Sequence, residues 1–228
     1  MSLLNHSCDP NCLIVFDGKC LLLQTIKEIS KGEELTVSYI DVNRPSHIRQ
    51  KQLQRQYCFI CNCHLCLTKD KDEDMLAGDP QASKEAEGSI ARLEELNFQE
   101  KWQESLDLSR SLIRSYSGRL PDKNIYQLEL LDLAMDAAIA LELWEEALHF
   151  GLRTLEPFSL YYPHSHPVRA LQINRVGKIQ LFLEMYPEAM KMLKQAFDIM
   201  KITHGKDHIL MKDLIDLLRE CEASMKTK

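Results

Sequence analysis

No stretch of this 228-residue chain approaches the roughly 18–20 apolar residues of a membrane-crossing helix. The opening segment, Met1-Ser2-Leu3-Leu4-Asn5-His6, has neither the basic nor the apolar region of a secretory leader, so the default expectation is an intracellular protein. Positive charge is not in excess. Lys and Arg number 28 against 34 Asp and Glu, for a net charge of −6. That balance excludes a nucleic-acid polycation, though not a local basic patch. Cysteine is scarce beyond residue 66. Seven of the eight lie between Cys8 and Cys66, and only Cys221 follows. In a reducing compartment such a cluster reads as metal ligands before disulfides. What remains is ordinary for a globular chain of one or two domains: 45% hydrophobic and 27% charged residues, enough to bury a core.

Two compositions meet near residue 68. Before it the chain is β-prone and carries the cysteines; from about residue 84 it is rich in Leu, Ala, Met, Glu and Lys and reads as helical. Between them Thr68-Lys69-Asp70-Lys71-Asp72-Glu73-Asp74, followed by Gly78-Asp79-Pro80, reads as an exposed, solvated connector. In the first part Cys12–Phe16 is predicted as a strand, Asp17-Gly18 as a hairpin turn and Lys19–Ile26 as the return strand. Leu35, Val37 and Tyr39 alternate with polar residues, which predicts a strand with those three on one face and Tyr39 at its end, able to emerge into a pocket.

The second part contains a repeat of 42 residues. Trp102, Trp144 and Tyr186 share one column, Ser105, Ala147 and Ala189 a second, Leu106, Leu148 and Met190 a third, and Ile113, Leu155 and Phe197 a fourth. His166 and His208, also 42 apart, each open a new helix. An aromatic filling the gap between helices, with a small residue allowing their close approach, is the logic of tetratricopeptide-like helix pairs. Leu120-Pro121-Asp122 and Tyr162-Pro163-His164 punctuate the pattern, and Ile125, Leu128, Leu131, Ala134, Met135 and Ala138 have the spacing of one helix face.

Cys58-Phe59-Ile60-Cys61-Asn62-Cys63-His64-Leu65-Cys66 is the most specific local feature. Cys61, Cys63 and Cys66 offer three thiolates in one tight turn, and tetrahedral zinc needs a fourth ligand. Cys58, His64, Cys8, Cys12 and Cys20 are the alternatives. Spacing alone favours Cys58, because Cys-x-x-Cys-x-Cys-x-x-Cys is self-contained. The polar turn Asn5-His6-Ser7-Cys8-Asp9-Pro10-Asn11 has no explanation from its residues alone. A Cys8–His6 nucleophile and base pair is disfavoured there, since two residues apart they do not easily reach that geometry.

Asn5–Asn11 resembles the NHSCxPN signature of SET domains, Gly32-Glu33-Glu34-Leu35-Thr36-Val37-Ser38-Tyr39 resembles the GEELxxxY signature that follows it, and Cys61-x-Cys63-x-x-Cys66 resembles the post-SET zinc motif. With the tetratricopeptide-like C-terminal part, the chain is similar to the C-terminal half of the SET- and MYND-domain (SMYD) protein lysine methyltransferases. The resemblance implies an α+β fold: the end of a SET domain (1–41), a post-SET zinc segment (42–68), a connector (69–83) and an all-α TPR-like domain (84–228). It implies S-adenosylmethionine and zinc as cofactors, with Asn5, His6, Tyr39 and Phe59 at the former and Cys8, Cys61, Cys63 and Cys66 at the latter. It thereby replaces Cys58 by Cys8. Tyr39 and Tyr57 are implied as catalytic and as walls of the lysine channel. The implied partners are lysine-bearing proteins such as histone tails, and chaperone C-terminal peptides on the helical domain, with no membrane or direct nucleic-acid contact. The implied location is cytoplasmic and nuclear. A chain starting at the NHSC motif is expected to be a weak or inactive enzyme by itself; the alternative reading is a non-catalytic, peptide-binding scaffold.

Overall fold

The computed structural model describes residues 4–227. It is an α+β molecule in which short strands at the N-terminal end meet a stack of long helices. β1 (Asn5–His6) runs parallel to β4 (Thr36–Val37), and β2 (Cys12–Asp17) is antiparallel to β3 (Cys20–Thr25). The hairpin turn is displaced by one residue from expectation. Asp17 pairs with Cys20, so Gly18 and Lys19 form the loop, and Gly18 takes the positive φ (56°) that its first position demands. The strand expected across Leu35–Tyr39 shrinks to Thr36–Val37, because β1 offers it only two residues to pair with. Val37 is buried and Leu35 exposed, so the period of two does not extend along the whole run.

The charge run is not a free connector. After α1 (Ser46–Tyr57) and α2 (His64–Thr68), residues Asp72–Met75 form a short helix, α3, with Met75 fully buried. Pro45 leaves α1 without a side-chain cap, and Asp72 supplies one from a distance by accepting bonds from the Ser46 N–H (2.8 Å) and hydroxyl. Lys71 donates to the Tyr161 carbonyl at 3.0 Å, and Asp74 pairs with Lys123. Part of the charge here is structural because Lys71, Asp72 and Asp74 find partners on other elements, which composition alone does not reveal. Gly78 (φ 99°) lets the chain pass the helical stack, since a Cβ there would lie 2.4 Å from the Arg119 carbonyl oxygen.

Seven helices follow: α4 (Pro80–Phe98), α5 (Trp102–Ser115), α6 (Ile125–Ala140), α7 (Trp144–Tyr161), α8 (Pro167–Phe182), α9 (Tyr186–Thr203) and α10 (Ile209–Thr227). The 42-residue columns are the register of this stack. Trp102, Trp144 and Tyr186 each begin the second helix of a pair, and Ser105, Ala147 and Ala189 are completely buried at the crossings. The face predicted from Ile125 to Ala138 is buried throughout. Two further columns emerge. Asn124, His166 and His208 each accept a backbone N–H two residues on, capping α6, α8 and α10. Glu100, Glu142 and Glu184 occupy the same left-handed turn, with φ of 56°, 58° and 57°. After each of them the next N–H (Lys101, Leu143, Met185) closes on a carbonyl five residues back at 2.9 Å. Among the described residues no helix is long and apolar enough to cross a membrane.

Two outcomes follow from the stack. A non-glycine residue in the left-handed region is strained by roughly 1–2 kcal/mol, and the exposed Glu142 side chain makes no hydrogen bond or ion pair among the described residues to set against that cost. Glu142→Gly is expected to raise stability by about 1 kcal/mol in urea denaturation. His166 stacks on Tyr162 (4.6 Å between rings), and burial lowers its pKa from 6.5 to about 4. The neutral ring therefore stabilises the fold fully above pH 6.5, and that contribution is lost as pH falls from 6.5 towards 4. His166→Asn keeps a cap of the kind Asn124 provides and should lose less stability between pH 7.5 and 4.5 than the unmodified chain in parallel denaturation curves.

Candidate active site and thiol cluster

The polar turn between β1 and β2 is held by Asn11, which is 7% exposed. Its amide donates to the Glu34 carbonyl (2.8 Å) and to Glu33 Oε1 (3.2 Å), while its Oδ1 accepts from the Thr36 N–H (2.9 Å). One buried amide thus binds the two signature segments together. This lays Asn5 beside Thr36 and His6 beside Val37. Asn5 Nδ2 donates to Glu34.

A cleft of about 430 Å³ opens next to this junction, lined by Asn5, His6, Tyr39, Tyr57 and Phe59 together with Ile60–Cys63. All five residues expected at the cofactor or the chemistry therefore share one cavity wall. The Tyr39 and Tyr57 rings lie 5.0 Å apart, and the His6 ring lies 5.2 Å from Tyr39 and 5.8 Å from Phe59. Helix α1 ends at Tyr57, and Cys58 turns the chain through a left-handed conformation (φ 63°), so Tyr57 and Phe59 both reach the cleft. The Tyr39 hydroxyl donates to the Leu4 carbonyl, which leaves its oxygen lone pairs as acceptors.

His6 uses both ring nitrogens internally. Nδ1 accepts the Tyr39 N–H at 3.0 Å, which leaves Nε2 as the protonated nitrogen, 3.2 Å from Cys8 Sγ. Burial lowers the His6 pKa and favours the neutral ring. The turn folds back and brings His6 and Cys8 within hydrogen-bond range, but with the proton on Nε2 the ring faces the sulfur as a donor and not as a base. Their chemistry is still not that of a nucleophile and base, because Cys8 is 2% exposed inside a group of four thiols. With the ring engaged, any cofactor contact of His6 falls to its backbone.

The sulfurs of Cys8, Cys61, Cys63 and Cys66 lie within 4.8 Å of one another, with 3.5 Å between Cys8 and Cys66. Four thiolates on one tetrahedral metal at 2.3 Å would sit about 3.8 Å apart, so the donor set and its dimensions fit a metal that prefers sulfur. Cys58, favoured by spacing, is exposed at the end of α1 and stands outside the cluster. The short sequence separation that recommended it is cancelled by the left-handed turn. The protons are unequally held. The Cys63 pKa is brought down by the bond it accepts from Cys8, while Cys8 is pushed up by its bond to Cys63 and by burial. Two residues of α1 that the motifs do not contain support the cluster. Gln50 brackets Cys61, accepting its N–H at 2.9 Å and donating to its carbonyl at 2.5 Å. Arg49 is completely buried with its guanidinium 3.7 Å from Cys66 Sγ. No sequence signal marked them, since α1 buries only Ser46, Arg49 and Leu53 and so lacks an apolar stripe.

One metal ion per chain is expected by elemental analysis. Cys8→Ser should bring the stoichiometry close to zero and Cys58→Ser should leave it unchanged; the reverse pattern would show that Cys58 is the fourth ligand.

Comparison with known proteins agrees with this geometry. The SET domain family model matches residues 1–40. The histone-lysine N-methyltransferase SMYD3 of Mus musculus is 55% identical over 226 residues, covering 99% of this chain and 53% of that protein. SMYD3 of Homo sapiens is 54% identical over the same shares. The N-lysine methyltransferase SMYD2 of Gallus gallus is 30% identical, covering 94% of this chain and 52% of its own length. The chain spans about half the length of the curated relatives it matches. A SET match at its start, a cleft walled by the SET signature residues and more than half identity along 99% of its residues establish that this chain belongs to the SMYD family.

Proposed function

We propose that this chain carries the lysine-facing wall of an S-adenosylmethionine-dependent protein lysine N-methyltransferase. The convergence of Asn5, His6, Tyr39, Tyr57 and Phe59 on one cleft supports the reading, as do the names of the relatives. S-adenosylmethionine, when bound, would supply a methyl group on a cationic sulfur for in-line transfer to a neutral amine. The chain's own residues align the amine and exclude water. The Tyr39 and Tyr57 rings flank the aliphatic stem of lysine and attract its cationic head before deprotonation. The Tyr39 oxygen, its proton engaged by Leu4, accepts a hydrogen bond from the amine and orients its lone pair. Phe59 would pack against the adenine, and Asn5 and the His6 backbone would bind the rest of the cofactor. Cys8, Cys61, Cys63 and Cys66 would hold a zinc ion that ties the segment carrying Asn5 and His6 to the segment carrying Tyr57 and Phe59.

Histone tails and other lysine-bearing proteins are the proposed substrates, and cytoplasm and nucleus the proposed locations. A second cavity of about 470 Å³ between the SET-like part and α4, α6 and α8 supports a basic polypeptide, because Asp41, Glu94, Glu129 and Asp132 line it against Arg44 and Arg175. The carboxylates outnumber the guanidiniums there.

Methyl transfer to histone peptides is best measured with this chain alone and with the chain joined to the unmatched half of the mouse relative. The joined protein should be faster by at least about a hundredfold, since displacement of the reacting atoms by about 1 Å costs that much. Tyr39→Phe in it should lower turnover by a further factor on the order of a hundred. A joined protein that binds S-adenosylmethionine yet is indifferent to Tyr39→Phe would refute the role given to this tyrosine.

A further inference from the structure

Arg49 is the largest fully buried side chain of the molecule's described residues, and it has no carboxylate partner. Nη1 donates to the Arg44 carbonyl, Nη2 points to the Leu65 carbonyl at 3.5 Å and to Cys66 Sγ at 3.7 Å, and Nε is buried without a partner. A guanidinium cannot shed its proton in a protein, and an uncompensated buried charge costs several kcal/mol. The guanidiniums of Arg44, Arg110, Arg119, Arg153, Arg175 and Arg219 each pair with Asp or Glu. Among the described residues, the groups able to carry negative charge that the Arg49 guanidinium meets are the thiols of the cluster, Cys66 at contact distance and Cys8 beside it.

From this juxtaposition we infer that Arg49 is the built-in counter-charge of the metal centre, placed to neutralise part of the charge of four thiolates around one divalent ion. Four thiolates and a divalent cation leave a net charge of −2 in a site where three of the four cysteines are buried. One guanidinium halves it. The same side chain bonds to the carbonyls of residues 44 and 65, so it holds the entrance of α1 against the thiol-bearing turn. Arg49 thus acts as a positioning residue that raises metal retention through Cys66 and Cys8, and it makes no contact with the reacting atoms. The inference rests on the metal reading of the cluster.

The test is zinc affinity of the full chain, measured by competition with a chromophoric chelator, in the parent, Arg49→Lys, Arg49→Gln and Arg49→Met forms. Far-UV circular dichroism melts accompany each. Outer-sphere partners of metal ligands are typically worth 10–100-fold in affinity. Arg49→Gln, which keeps a polar donor but carries no charge, should weaken zinc binding by about that factor, while Arg49→Lys, which keeps the charge but not the two-nitrogen fork, should stay within a few-fold of the parent. Arg49→Met should resemble Arg49→Gln; if methionine prevents folding, the Lys and Gln pair decides. Equal affinity of parent and Arg49→Gln would overturn the inference, as would Lys and Gln forms equally weakened, which is the signature of a purely structural staple. A parent chain that binds no zinc would instead overturn the metal reading beneath it.

Discussion

The meeting of four sulfurs from opposite ends of the first 66 residues is the constraint on which the rest of this site depends. Cys8 belongs to the turn after β1, Cys61 and Cys63 to the turn after α1, and Cys66 to α2. Fixing those sulfurs within 4.8 Å of one another fixes the backbone on both sides of the cleft, because His6 is two residues before Cys8 and Phe59 two residues before Cys61. The imidazole of His6 extends the constraint inward: one nitrogen touches Cys8 and the other holds the backbone of Tyr39. Position is therefore handed from sulfur to ring to peptide, over bonds of about 3 Å with little slack.

The helical stack contributes in a different way. It has no single anchor; each helix pair leans on its neighbours through the same columns, with small residues at the crossings and aromatics at the start of the second helix. The stack is joined to the SET-like part by both apolar and polar contacts. Val42 is buried in the same core as Tyr126, Phe158 and Tyr162. Arg44 grips Glu129 with two bonds, the Tyr162 hydroxyl donates to Asp41, and the His208 ring meets the Phe16 carbonyl at 3.2 Å.

Local patterns were the legible ones. The 42-residue repeat was readable because its columns record packing between sequence neighbours, and the hairpin because alternation and Asp-Gly are local signals. The charge run misled, since whether Lys71, Asp72 and Asp74 are solvated depends on Tyr161, Ser46 and Lys123, far away in sequence. Helix α1 was missed for a related reason. Its buried face is a serine, an arginine and a single leucine, and the arginine is there for the thiols rather than for a core.

By itself, the sequence determined the residue types: three clustered thiols, an aromatic set, a repeat and its helix-breaking punctuation. Those follow from short-range chemistry, which spacing records. Spacing pointed to Cys58 as the fourth cysteine and the family resemblance to Cys8; only the tertiary structure gives the physical reason for Cys8. Cys58 is three residues from Cys61 yet turned outward, whereas Cys8 is 53 residues away and in contact. Chain separation measures the entropy of bringing groups together and does not say where a side chain points. The left-handed turn at Cys58 and the buried amide of Asn11 settle that direction, and neither is visible until the backbone is folded.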